Sequence, residues 1–134
     1  MTWDELLAAA ERIRLAAASE DATLAGLPLA AIGWATVEHE RAERELDAAL
    51  GPGALWLPLD RDPALGARGW ARAAAGATAA VVILEPDTEG RLAASLARFG
   101  EAVAVVYLGS GPVGPARLIR GSPVWGPHVV VLGT

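Results

Sequence analysis

Apolar side chains first appear at helical spacing: Trp3, Leu6, Leu7, Ala10, Ile13 and Ala17 fall on one face of a helix from about Trp3 to Ala18. Thr2 and Glu5 stand three apart at its start, the spacing of a capping box. The pattern then breaks at Ser19-Glu20-Asp21, and residues 19–28 read as a linker closing on Gly26-Leu27-Pro28. From Leu29 to Val37 the chain is continuously apolar and bounded by turn residues, which predicts a strand. Glu38 to Leu50 turns helix-like. Acids at its start complement the helix dipole, Glu40 and Arg44 stand at i,i+4, and Leu46, Ala49 and Leu50 form the buried stripe before Gly51.

Beyond Pro52-Gly53 the segments shorten. Ala54 to Leu59 reads as a strand and Asp60-Arg61-Asp62-Pro63 as a turn. Ala77 to Leu84 reads as a buried strand, Asp87 to Phe99 as a helix stopped by Gly100, and Ala102 to Leu108 as a further strand. Ser110 to Pro115 is a Gly/Pro loop. Strands Ala116–Arg120 and His128–Leu132 follow, either side of a turn around residues 123–127. Gly66 to Gly76 carries two signals. Its alanines favour helix, whereas Arg68, Trp70 and Arg72 alternate with small residues as in a strand. The fold class hangs on this segment. As a strand it completes a βαβββ module and an α+β fold. As a helix it gives βαβαβαβ, a doubly wound α/β domain. Glu38-His39-Glu40, where the second fold would put a glycine-rich turn, argues against a nucleotide site there.

Composition narrows the function. The chain has 134 residues, 53% hydrophobic and 20% charged, within the range of one globular domain. There is no cysteine, so disulfides, thiolate metal sites and cysteine nucleophiles are excluded. All eleven basic residues are arginines, the net charge is −5, and no basic stripe forms, which speaks against nucleic acid. Acids near the start do not suit a signal peptide. No apolar run nears the roughly 20 residues of a membrane span. A cytoplasmic location is the expectation.

Several phrases, in their order, resemble the vicinal-oxygen-chelate superfamily of glyoxalase and bleomycin-resistance proteins. Ala31-Ile32-Gly33-Trp34-Ala35-Thr36-Val37, with Arg41-Ala42 and Leu50-Gly51, resembles the family's opening strand and helix. Val82-Ile83-Leu84-Glu85-Pro86 resembles its fourth strand. Arg91 to Glu101 resembles the linker between modules, and Val103 to Leu108 the first strand of the second module. The resemblance implies glyoxalase-like βαβββ modules over residues 29–134 as one compact unit. It departs from the family in two ways: the second module is truncated, with no room for its helix, and residues 1–28 add a helix and linker. That extra helix could cover the surface the missing one leaves bare.

In metal-using members, strands of both modules send His, Glu or Gln ligands into a cup. By the resemblance those positions fall here on Ala31, on Val82, on Ala104 or Val105, and on Val130 or Val131, none of which can bind a metal. The expectation is a divergent, metal-free chain with no cofactor. The resemblance also implies a small-molecule ligand in the cup and a homodimer.

Candidate ligand contacts follow from residue type. Arg68, Trp70 and Arg72 would share one strand face and, facing the cup, would hold an anionic or aromatic ligand by charge and stacking. Turned outward, they would be an exposed or interface face. Trp56 and Tyr107 add aromatic surface, as do Trp34 and Trp125, whose commoner work is packing. His128 could act as general acid or base, or simply bond to backbone at a strand start. His39, in a charged helix start, reads as a solvated surface residue. Three functions remain open: a metal-free binder of a small organic ligand in an apolar cup, a non-metal lyase or isomerase on a small carbonyl compound, and a protein-interaction module whose cup is filled by its own side chains.

Overall fold

The computed structural model describes residues 1–51, 54–74, 76–115, 119–120 and 126–133. Its central event is the meeting of β1 (Leu29–Ala35) and β5 (Ala102–Leu108), which pair antiparallel in mid-sheet. β4 (Ala80–Pro86) lies parallel to β1 on one side, and β7 (His128–Val131) lies parallel to β5 on the other. β3 (Ala67–Ala73) runs antiparallel to β4, and β6 (Ile119–Arg120) antiparallel to β7. A two-residue β2 (Leu57–Pro58) edges β3. The order is therefore β2-β3-β4-β1-β5-β7-β6. Outward from the central pair, each half repeats one rule, a parallel neighbour and then an antiparallel one.

This architecture is α+β and glyoxalase-like, and it resolves the fork in the sequence. Residues 67–73 are a strand paired with β4 along its whole length, so the doubly wound alternative falls. Alternation prevailed over alanine content because the small residues Ala67, Gly69 and Ala71 are needed on a crowded sheet face.

The sheet has two faces. On one, Ile32, Val81, Ile83, Val106, Leu108 and Val129 pack beneath two helices, α1 (Trp3–Glu20) and α2 (His39–Leu50). Thr2 caps α1 by accepting the Glu5 N–H at 3.1 Å. Leu6 and Ala10 are its buried stripe, while Ala42, Leu46 and Leu50 are that of α2. α2 belongs to the first half. The second half has no helix after β5 among the described residues, and α1 lies over β5, β1 and β7 instead. The N-terminal helix thus covers the part of this face that α2 leaves open.

The opposite face carries Ala31, Val82, Leu84, Val105, Tyr107 and Val130, and is the side on which the resemblance would place a cup. Here α3 (Arg91–Phe99) lays Leu92 against the sheet. The helix begins four residues later than Asp87 because residues 87–90 form a turn, in which the Asp87 N–H binds the Gly66 carbonyl at 2.8 Å. The strand expected at Ala54–Leu59 shrinks to Leu57–Pro58, with the Leu59 N–H still donating to the Gly69 carbonyl at 2.8 Å just beyond it. The strand at 77–84 is displaced to Ala80–Pro86. Residues 116–118 of the expected strand Ala116–Arg120, and Trp125, lie outside the described residues. Among the described residues, no helix is long and apolar enough to cross a membrane.

If α1 is integral to the core, Leu6→Ala should cost about 2–5 kcal/mol, because Leu6 is 2% exposed and its removal leaves a cavity. Leu15→Ala, at a position 61% exposed, should stay within about 0.5 kcal/mol. Urea denaturation of both variants checks the pair. Equal, small losses would show a loosely held helix.

Candidate functional site

The six expected ligand contacts divide between the two faces of the sheet. In the β3–β4 register Arg68 stands opposite Glu85, Trp70 opposite Ile83 and Arg72 opposite Val81, so the whole stripe lies on the α2 side, away from the cup. Its residues are engaged there. The buried Arg72 guanidinium donates to Asp47 and to the Gly51 carbonyl, closing the C-terminus of α2 where free carbonyls and the dipole favour a cation. Trp56 joins the same group, its indole N–H donating to Asp47 Oδ1 at 2.9 Å. Trp70 stacks on His39 with ring centroids 3.7 Å apart and planes 9° apart, and the Arg68 guanidinium lies 5.4 Å from the Trp70 ring.

His39 is not a solvated surface residue. Its Nδ1 and its backbone N–H both meet Glu85 Oε2 at 2.9 Å, and Arg68 pairs with the other carboxylate oxygen. Burial pushes the Glu85 carboxyl up, but the hydrogen bonds from His39 and Arg68 outweigh it and hold it below the usual carboxylate range. Glu101 repeats the arrangement. Burial opposes its charge, and the Thr36 hydroxyl and Arg41 more than restore it.

Tyr107 and His128 lie on the cup side. Tyr107 stands opposite Ala31 and is fully buried. Burial, and then the negative Asp62, push its phenol well above its ordinary value, so it stays a neutral hydroxyl. His128 pairs with Val105 and is also fully buried. Asp62 sits in the turn that the sequence predicts at residues 60–63. It organises the loop leading into β3: Oδ1 accepts the Leu65 N–H at 2.9 Å, and its carbonyl accepts from Gly66 and Ala67. Gly66 takes φ +70°, and a Cβ there would meet the Glu89 carbonyl at 2.9 Å, so only glycine makes this turn. The turn drives Leu65 onto the cup face, where it is completely buried.

The cup is consequently closed. Ala31, Val82, Val105 and Val130, the positions that the resemblance equates with metal ligands, are all solvent-inaccessible. Of the alternatives, Ala104 is the extra residue at an irregularity in the β1–β5 register, and Val131 packs with the helix face. These side chains do not fit a divalent ion, and no group of three or more His, Asp or Glu among the described residues could hold one. A pocket of only about 10 Å³ remains beside Tyr107, Asp62, Leu84 and Gly69. Above it opens a cleft of about 700 Å³, walled by Pro58, Leu59, Pro63, Val113, Pro115 and Leu132. Leu59, Asp60, Gly114 and Pro115 line both spaces.

No family model and no curated protein matches the chain. Two solved structures are similar in fold. Methylmalonyl-CoA epimerase from Mycobacterium tuberculosis superposes with a TM-score of 0.56 at 14% identity, over 79% of this chain and 88% of that one. Hypothetical protein BH1468 from Bacillus halodurans C-125 superposes with a TM-score of 0.52 at 19% identity, over 65% of this chain; the chain spans 61% of the Bacillus protein's length. At these identities the likeness is one of fold, and it agrees with the glyoxalase-like α+β architecture.

The Glu85 cluster makes stability depend on pH in a defined direction. A carboxyl whose folded value is depressed adds stability above its unfolded value, near the ordinary 4.5, and loses it as pH falls through the folded value. Glu85→Gln should therefore lower stability at pH 7 by about 1–3 kcal/mol. It should also flatten the decline on acidification below the ordinary carboxylate range. Urea midpoints across pH 2–7 for both proteins measure this, and parallel curves would show that Glu85 is not held by its partners.

Proposed function

We propose that the protein is a metal-independent module of glyoxalase-like fold that binds a small organic ligand at the mouth of its cup, and that it works as a homodimer. The observation that supports this most is the closed apolar floor. Ala31, Val82, Val105 and Val130 fill the place where metal-using relatives of the fold hold their ion. What remains for a ligand is the cleft above them, of a size that suits a small molecule. Tyr107 and Asp62 lie directly beneath and are the polar groups a ligand would reach if Leu59 or Pro115 gave way. His128 stands on the same face. Arg68, Trp70, Trp56 and Arg72 act in this reading by fixing β2 and β3 to α2, which sets one wall of the cleft. The lyase or isomerase reading has less support, because Arg68 and Arg72 are each matched by a carboxylate on the far face.

A second reading has support of its own. A cup packed by Leu65, Tyr107 and Leu92 is the filled cup of an interaction module. For the homodimer we favour the β2 edge, where Leu55 and Leu57 are 79% and 61% exposed.

Thermal denaturation with Zn²⁺, Ni²⁺ or Mg²⁺ should leave the midpoint unmoved. Screening with small organic acids, ketones and aromatics should find compounds that raise it, through an added stability of about 2.7 kcal/mol at a hundredfold excess over Kd. Val113→Trp should abolish that rise. Stabilisation by metal overturns the metal-independent reading, and the absence of any small-molecule shift favours the filled-cup one. Sedimentation should give twice the chain mass, reduced to one by Leu57→Lys; a wild-type monomer removes the dimer.

A further inference from the structure

At the end of the sheet where β5 begins, α1 and α3 do not close against each other. A cavity of about 400 Å³ lies between them, walled mainly by Ala9, Ile13, Phe99, Val103, Ala104 and Pro127. A second cavity of about 330 Å³ adjoins it along α1, sharing Ala9, Ala102 and Val103 and running beneath Trp34 and Met1. The pair is outside the cup and separate from the cleft at its mouth.

Two polar groups set the chemistry. Ser95 projects from α3 and lines the first cavity; little of the residue is exposed, and its hydroxyl is open to whatever occupies that space. Arg12 stands at the rim of the same cavity, exposed and without an ion pair among the described residues. Its guanidinium is permanently charged and forks a carboxylate well. Glu5 lines the second cavity, as does Glu101 with its charge matched by Arg41, so the far end is the less favourable one for an anion. Charge therefore assigns the orientation: an acidic head at Arg12 and Ser95, with an apolar body along Val103 toward Trp34.

We infer that this groove between α1 and α3 is a binding site for a small apolar carboxylate, with Arg12 and Ser95 holding the head group. The occupant is an aliphatic acid of medium chain length. The apolar walls bury its chain, and the two polar groups select its acid.

Isothermal titration calorimetry with decanoate tests the assignment, with decanol as the uncharged control. Wild-type protein should bind decanoate at one per chain. Arg12→Gln, at an exposed position whose loss leaves the fold intact, should weaken decanoate roughly tenfold and leave decanol unchanged. Ala9→Phe, which fills the groove, should abolish both, with circular dichroism confirming the fold. Val113→Trp, in the cleft at the cup's mouth, should alter neither. The inference is overturned if decanoate does not bind, if it binds without defined stoichiometry, or if Arg12→Gln affects acid and alcohol alike.

Discussion

The antiparallel seam between β1 and β5 is the constraint on which the rest depends. Each strand is central to its own half, and only their pairing turns two partial sheets into one. The seam is tight. A Cβ on Gly33 would come within 2.8 Å of Val105 Cβ and 3.1 Å of Leu84 Cδ1, so the glycine is a condition of the approach. One residue later the register slips, leaving Ala104 unmatched. That irregularity also places Ala104 on the wall of the groove between α1 and α3. The junction of the halves and the groove at the sheet end thus share one piece of backbone.

Much of the fold was legible in the sequence because strands and helices here differ sharply in period. Ala102–Leu108 is a plain apolar run, and α2 carries an unmistakable stripe with a glycine at its end. The segment around Trp70 was harder. Its alanines and arginines satisfy both periods, and only pairing with β4 decides between them. Which face the arginines would take was not legible at all. A strand pattern states that Arg68, Trp70 and Arg72 lie together but not on which side, and the answer depends on Asp47 and Glu85, which are distant in sequence.

The site was read less well for a related reason. That the positions the resemblance equates with metal ligands are apolar can be read position by position, since an alanine or valine side chain cannot coordinate a metal. That the cup would also be closed cannot, because the residue that helps to close it, Leu65, comes from a loop. Its placement is set by Asp62 and by the positive φ of Gly66. The setting of His39 is hidden by its charged neighbours in sequence. A histidine flanked by glutamates looks solvated until a tryptophan from another strand is laid flat against it.

The position of α1 bears on how the molecule is made. The helix leaves the ribosome well before β5, the strand it packs on most, which ends at Leu108. At ordinary synthesis rates that delay is on the order of ten seconds. Throughout it, the helix's apolar stripe has only Leu24 and β1 to rest on. Final docking must await the second half, so α1 is among the last elements to settle although it is made before the sheet it packs on, and nascent-chain chaperones would have long to hold it.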